Sequence, residues 1–181
     1  MDWRNARIGK GTKIWHPEMT NIYGDCVIGE NCNIGAFVEI GPGVVIGNNV
    51  RVGAHCFIPS GVIIHDDCFI GPGCVFTNDR YPPGHKVNWE STVVLKGASI
   101  GAGCTILPGI TIGTEASIGA GTVVTKDVPD GWRVIGNPMR RIGHENDDKG
   151  LKRSGFKCLC GCGKETREGY KYIIGHNEEA K

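Results

Sequence analysis

Three groups of residues in this chain could do chemistry. The first is a polar run, Asn78-Asp79-Arg80-Tyr81, followed by His85 and Trp89. An amide, a carboxylate, a guanidinium, a phenol and an imidazole so close together can hold a polar substrate and move a proton. The second is the isolated histidines His16, His55 and His65. Imidazole is the side chain whose ordinary pKa suits a general base near neutrality, and His55 is the candidate base among them. The third is near the C-terminus, where Cys158, Cys160 and Cys162 precede His176. Three thiolates and one imidazole would complete a tetrahedral zinc site. Such a site is closed, so the zinc would be structural.

The elements that must position these residues are set by a repeat. From Ile22, steps of six land on Ile28, Ile34, Ile40, Ile46, Val52, Ile58, Ile64, Ile70 and Phe76. The series resumes at Val94 and runs through Ile100, Ile106, Ile112 and Ile118 to Val124, with Ile8 and Ile14 as earlier members. Those 18 positions hold fourteen Ile, three Val and one Phe. Glycine commonly follows, as in Gly35, Gly71 and Gly101, and a smaller apolar residue stands four places on. A period of six is neither helical nor simply alternating. It predicts an all-β fold, a left-handed parallel β-helix of about six coils. Each hexapeptide makes one side and one corner of a triangular coil, and glycine relieves crowding where the backbone turns. Coils stacked at ~4.8 Å make a prism about 25–30 Å tall. Cys26, Cys32, Cys56, Cys68, Cys74 and Cys104 all fall on the small inward site, where a free thiol packs as a small hydrophobe.

Two breaks interrupt the period. Ile14 to Ile22 is eight steps, with the extra residues in the Trp15–Asn21 stretch. Residues 77–92 would put Arg80 on a small inward site and Pro82 and Asn88 on aliphatic sites, so this stretch must be extruded. Loops of this length in a compact domain are often functional. After Val128, Pro129-Asp130-Gly131 is expected to turn the chain off the helix. The domain reading is a β-helix body over 1–143, a polar linker over 144–157 and a Cys/His appendage over 158–181.

Bulk properties exclude several classes. The net charge is +1, which gives no electrostatic footprint for nucleic acid. From residue 144 on, eight Lys/Arg face seven Asp/Glu, so the tail is not a basic patch. No apolar run is long enough to span a membrane, and Met1-Asp2-Trp3-Arg4 does not begin a signal peptide. Nine cysteines without such a signal point to a reducing, cytoplasmic location. The flat faces of a β-helix offer no deep pocket. Three prisms side by side would create three clefts, so a homotrimer with shared sites is expected.

The runs Ile14-Trp15-His16, Val75 to Pro82 (Val-Phe-Thr-Asn-Asp-Arg-Tyr-Pro), Lys96 to Ala102, Ile118 to Pro129 and Gly136-Asn137-Pro138 before Arg140-Arg141 resemble the hexapeptide-repeat acyltransferases. Among these the chain is most similar to N-acetyltransferases of nucleotide-linked 3-amino sugars, over roughly residues 6–143. The resemblance implies acetyl-CoA as donor and a UDP- or dTDP-linked amino sugar as acceptor, in surface glycan synthesis. It implies that the pantetheine arm lies along the C-terminal coils between two subunits. Small residues there, Gly101, Ala102, Gly119 and Ala120, would admit the arm. Pro138 would lie beside it, with Lys126, Arg140 and Arg141 as candidates for the phosphates. Asn78 and Asp79 would hold the acceptor amine. His16, Arg80, Tyr81 and His85 would contact the acceptor, and His55 is left as the candidate base. Gly53-Ala54-His55 and His65 depart from the pattern of relatives.

Other readings stay open. Transfer to a hydroxyl or to another small acceptor uses the same machinery. A γ-type carbonic anhydrase shares the fold, but it needs three histidines around zinc, and no His-x4-His pair occurs here. A non-enzymatic β-helix scaffold is the remaining class.

Overall fold

The structure, a computed structural model, describes residues 5–84 and 89–148. The chain divides into two units, residues 1–145 and 146–181, and the fold below is that of the first. It is the left-handed parallel β-helix that the period predicts. Two-residue strands such as Val27–Ile28, Asn33–Ile34 and Glu39–Ile40 succeed one another around a triangular coil. From Arg7–Ile8 to Thr105–Ile106 each strand pairs in parallel with the one three places on, and with two C-terminal strands added this builds three sheets of six, eight and six strands. We name them faces A, B and C, beginning at Arg7–Ile8, Lys13–Ile14 and Asn21–Ile22. The corners between them form the AB, BC and CA edges.

The inward rungs make the core. From Ile22 to Val124 every aliphatic position is at most 3% exposed. Burying each such side chain stabilises by ~1.5–3 kcal/mol. Ile8 belongs to the terminal coil and is 36% exposed, because among the described residues no coil covers it from below.

Two corner devices recur. The third residue after most rungs takes a left-handed backbone, seen at Asp25, Asn31, Asn49 and Asp67 and at Gly43, Gly73, Gly103 and Gly121. Asn, Asp and Gly accept this conformation readily. Phe37 (φ 58°) and His55 (φ 60°) adopt it as well, although it is unusual for bulky residues. The glycine directly after the rung has a different cause. A Cβ on Gly35, Gly71 or Gly101 would stand 2.5 Å from the backbone nitrogen of Ala54, Ala102 or Ala120 in the next coil. That glycine relieves crowding between coils, and the turn itself lies two residues later.

The thiols do more than fill space. The Cys56, Cys74 and Cys104 thiols donate to the carbonyls of Gly71, Gly101 and Gly119 at 3.1, 3.1 and 3.2 Å. Cys26, Cys32 and Cys68 do the same to Gly41, Gly47 and Leu95. Burial pushes the Cys68 thiol up to about 11. All six are free and buried.

The C-terminal end departs from expectation. Pro129-Asp130-Gly131 does not take the chain off the helix. Val128 pairs with Ile112, so it is the next rung of face A, four residues after Val124 instead of six. Trp132–Ile135 then pairs in parallel with Ser117–Ile118, with Val134 buried beneath it. Six complete coils are thus followed by part of a seventh. Arg140–His144 turns back antiparallel along that last strand.

Candidate active site

The extruded loop stands on the CA edge. It leaves after Val75–Phe76, and the chain re-enters at Thr92–Val94, which pairs in register with Val62–Ile64 of the coil below. Thr92 is fully buried in that strand, so the loop proper ends at residue 91. Asn78 Nδ2 donates to the Ser60 carbonyl at 3.3 Å. That bond leaves its amide oxygen able to accept a hydrogen bond. The Asp79 carboxylate accepts from the backbone amides of Tyr81 (3.0 Å) and Gly84 (2.5 Å), which folds the loop into a turn. Arg80 Nε and Nη2 donate to Glu90 at 2.7 and 3.0 Å. The pair holds the guanidinium above its ordinary pKa and the carboxylate below its own. Tyr81 is 82% exposed. His85 lies outside the described residues.

The small-residue candidates and two of the histidines stand on the BC edge. Successive left-handed positions stack upward from Phe37 through His55, Gly73 and Gly103 to Gly121, with Phe37 bonded down to the Met19 carbonyl and His16 in the longer first corner. Backbone bonds tie them coil to coil, with the His55, Gly73, Gly103 and Gly121 amides donating to Ala36, Ala54, Pro72 and Ala102. His16 Nδ1 lies 3.1 Å from Glu18 Oε1. The Glu18 carboxyl is held below its ordinary range by a backbone hydrogen bond and by His16. The His55 ring stacks on Phe37, with centroids 4.7 Å apart and planes at 11°. His55 and His65 both face outward and are exposed, as expected. In the upper coils Ala102 and Ala120 are exposed, and a Cβ on Gly103 or Gly121 would meet nothing within 4 Å. Gly101 and Gly119 are crowded instead, against Ala120 and Ile135. The open surface is therefore Ala102-Gly103 and Ala120-Gly121. At the top of this edge the Thr122 hydroxyl accepts from the Gly136 amide at 3.1 Å. Exposed Pro138 and Arg140 follow. The Arg141 guanidinium lies 4.7 Å over the Trp132 ring.

One chain does not bring all candidates together. Asn78, Asp79, Arg80 and Tyr81 are on the CA edge, as is exposed Lys126 in the shortened corner before Val128. His16, His55, Ala102, Ala120 and Pro138 are on the BC edge, and face C separates the two sets. Three contacts were not anticipated from sequence: Phe37 beneath His55, Glu18 beside His16 and Glu90 beside Arg80. Among the described residues no cluster of three or more His, Cys, Asp and Glu could hold a metal. Cys158, Cys160, Cys162 and His176 lie outside those residues.

A family model described as bacterial transferase hexapeptide (six repeats) matches residues 5–42, 43–78 and 91–126. The chain belongs to this hexapeptide transferase family. The interval between its second and third matched segments coincides with the loop. A second model, the hexapeptide repeat of succinyl-transferase, matches residues 26–59. No curated protein matches the sequence. Among solved structures, this hexapeptide chain is similar to a mutant of GDP-perosamine N-acetyltransferase from Caulobacter crescentus in complex with CoA and GDP-perosamine. There the identity is 26% and the TM-score 0.63, over 73% of this chain and 56% of that one. It is similar in fold to a mutant of AntD, an N-acyltransferase from Bacillus cereus in complex with dTDP and coenzyme A. Here the identity is 22% and the TM-score 0.68, over 79% and 86% of the two chains. The acetyltransferase domain of PglB from Neisseria gonorrhoeae, in complex with acetyl coenzyme A, shares the fold at 22% identity and TM-score 0.62, over 73% and 58%. The chain thus spans little more than half the length of the Caulobacter and Neisseria structures. The family resemblance read from the sequence is borne out. Among the described residues no helix is long and apolar enough to cross a membrane.

Proposed function

We propose that this chain transfers the acetyl group of acetyl-CoA to the amino group of a nucleotide-linked sugar, with the 3-amino group of a UDP- or dTDP-linked sugar as the site of transfer. The observation that carries this reading is the extruded loop, which sets Asn78 at an edge of a transferase β-helix whose next edge is smooth and glycine-lined. Neighbours of the same fold hold CoA with GDP-perosamine or with dTDP, which supports both substrate classes. A role in surface glycan synthesis follows from the acceptor class.

In this reaction the neutral amine attacks the thioester carbonyl. The tetrahedral oxyanion collapses, the C–S bond breaks and the CoA thiolate leaves, to be protonated. The proton lost from nitrogen goes to a base or to water. A sugar amine beside electron-withdrawing oxygens is less basic than lysine, so positioning does much of the work. The Asn78 amide oxygen accepts from the amine, while its nitrogen stays on Ser60. Asp79 supports the loop backbone beside it. His55 is the candidate base, with His16, Tyr81 and His85 on the acceptor side. The pantetheine arm follows Ala102 and Ala120, in the stretch that also contains Gly101 and Gly119. Lys126, Pro138 and Arg140 lie towards the nucleotide end of CoA.

The candidates divide between two edges, so a complete site takes the BC edge of one copy and the CA loop of another. This favours a homotrimer. Exposed Val45 and Ile63 on face A and Phe57 and Val75 on face C flank the CA edge and support packing there. Six free thiols fit a cytoplasmic protein. For the tail we retain Cys158, Cys160, Cys162 and His176 as one structural zinc site. Metal analysis should find one zinc per chain, lost in Cys160→Ser/Cys162→Ser; a metal-free protein would remove this proposal.

The deciding experiment is thiol release from acetyl-CoA with a panel of UDP-, dTDP- and GDP-linked amino sugars. Turnover with at least one is expected, falling about tenfold to a hundredfold in Asn78→Ala. No turnover with any of them would overturn the reading. An unchanged rate in Asn78→Ala would overturn the site. A monomer by light scattering would end the shared-site arrangement.

A further inference from the structure

The loop is fastened at its stem from both sides. Below, Asn78 Nδ2 donates to the Ser60 carbonyl. Across the stem, the Glu90 amide donates to the Asn78 carbonyl at 3.0 Å. Above, Arg80 Nη2 donates to the Pro108 carbonyl at 2.7 Å while Nε and Nη2 together grip Glu90. Pro108 belongs to the next CA corner, so one guanidinium joins the two ends of the loop to the coil above. Gly109 makes room for this arrangement, because a Cβ there would collide with Glu90 Oε2.

A planar guanidinium engaged by both oxygens of a carboxylate is well directed. An exposed ion pair contributes little to the stability of a fold. Its value at a loop stem is geometric. Three of the five N–H donors of Arg80 are thus engaged, and the Glu90 carboxylate beside the rest would repel an incoming anion.

We propose that Arg80 and Glu90 are positioning residues, which set the height and orientation of Asn78 and Asp79 on the CA edge through the Pro108 carbonyl and do not touch the substrate. This rests on the acyl-transfer reading above. It changes the part assigned to Arg80 from acceptor contact to loop clamp, and it adds Glu90, which no motif marks.

The test compares Arg80→Ala, Glu90→Ala and the double variant of the full chain. Each single change should raise the acceptor KM about tenfold, with the acetyl-CoA KM and the Tm unmoved. The double variant should be no worse than either single one, because the two residues act as one unit. Amide hydrogen exchange gives a reading that needs no acceptor: the Gly84 and Glu90 amides should exchange faster in Glu90→Ala. The proposal is overturned if Glu90→Ala leaves exchange and acceptor KM unchanged. It is equally overturned if Arg80→Ala raises the acceptor KM far beyond Glu90→Ala, since that is the pattern of a direct ligand. If the unaltered protein turns over no amino sugar, the acyl-transfer reading fails, and exchange alone decides the clamp.

Discussion

The BC and CA edges are built from the same hexapeptide and are specialised in opposite ways. The BC edge keeps corners of constant length through coils two to six and varies chiefly in what its left-handed position carries. Phe37 and His55 occupy that position low on the prism, and Gly73, Gly103 and Gly121 occupy it higher up. Beneath it, Cys56, Cys74 and Cys104 tie down the corner carbonyls. The CA edge varies in length. Its corners are regular at Gly43 and Gly61, swell to the loop at 77–91, return to a regular turn at Gly109 and then shorten before Val128. Both kinds of change leave the core alone. The left-handed residue points away from the rungs, and an insertion at a corner is harmless if the next strand re-enters in register, as Thr92 does opposite Val62. The rungs set the period, and the edges are free to carry function.

The largest effect should come from blocking the smooth edge. Ala120 is exposed, and its neighbour Gly121 faces open space. Ala120→Trp should therefore leave the Tm unchanged and lower kcat/KM for acetyl-CoA by about a hundredfold or more. A variant with normal acetyl-CoA kinetics would mean that the donor does not run along the BC edge, and the contrast between the edges would lose its functional meaning.

A smaller effect tests what stiffens that edge. Cys74→Val roughly keeps the packing volume and removes the thiol that donates to the Gly101 carbonyl. A buried carbonyl left without that donor should cost about 1 kcal/mol. In a chain of this size that is a Tm lower by about 2–4 °C in thermal unfolding. An unchanged Tm would make the thiol only a space-filler. Burial pushes Cys68 up to about 11, so this thiol should resist alkylation at neutral pH until the helix unfolds.

Much of the body was legible because a rung is marked by its own residue type. Every rung from Ile22 to Val124 is buried, and the polar residues on the rungs after Phe76 revealed the loop. The reading failed where the count slipped. A corner two residues short put Asp130 on the expected rung and hid Val128 and Val134. The edge assignment was within reach, since a coil is eighteen residues and every third corner shares an edge. Counting that way sets His55 under Gly73, and both on a different edge from Asn78. Glu90 was not legible. Its pairing with Arg80 depends on the path of the loop and on the Pro108 carbonyl one coil up, and neither leaves a mark in residue type or spacing.

The smallest expected effect is a pH dependence confined to the CA edge. Arg80 holds the Glu90 carboxyl below its ordinary value of 4.5. A carboxyl depressed in the folded state contributes its full share above the unfolded value and loses it as pH falls through the folded one. The clamp should therefore be intact at neutral pH and open only on acidification below 4.5. Solvent screens this exposed pair, so the Tm of the prism should hardly respond. The Glu90 amide, bonded to the Asn78 carbonyl, should lose protection in that window, measured against the intrinsic exchange rate at each pH. The Gly73 and Gly103 amides, bonded along the BC edge to Ala54 and Pro72, should keep theirs. Glu90→Gln should remove the pH dependence at the residue-90 amide. Equal loss of protection on both edges would mean that acid loosens the whole helix, and the clamp would then have no titration of its own.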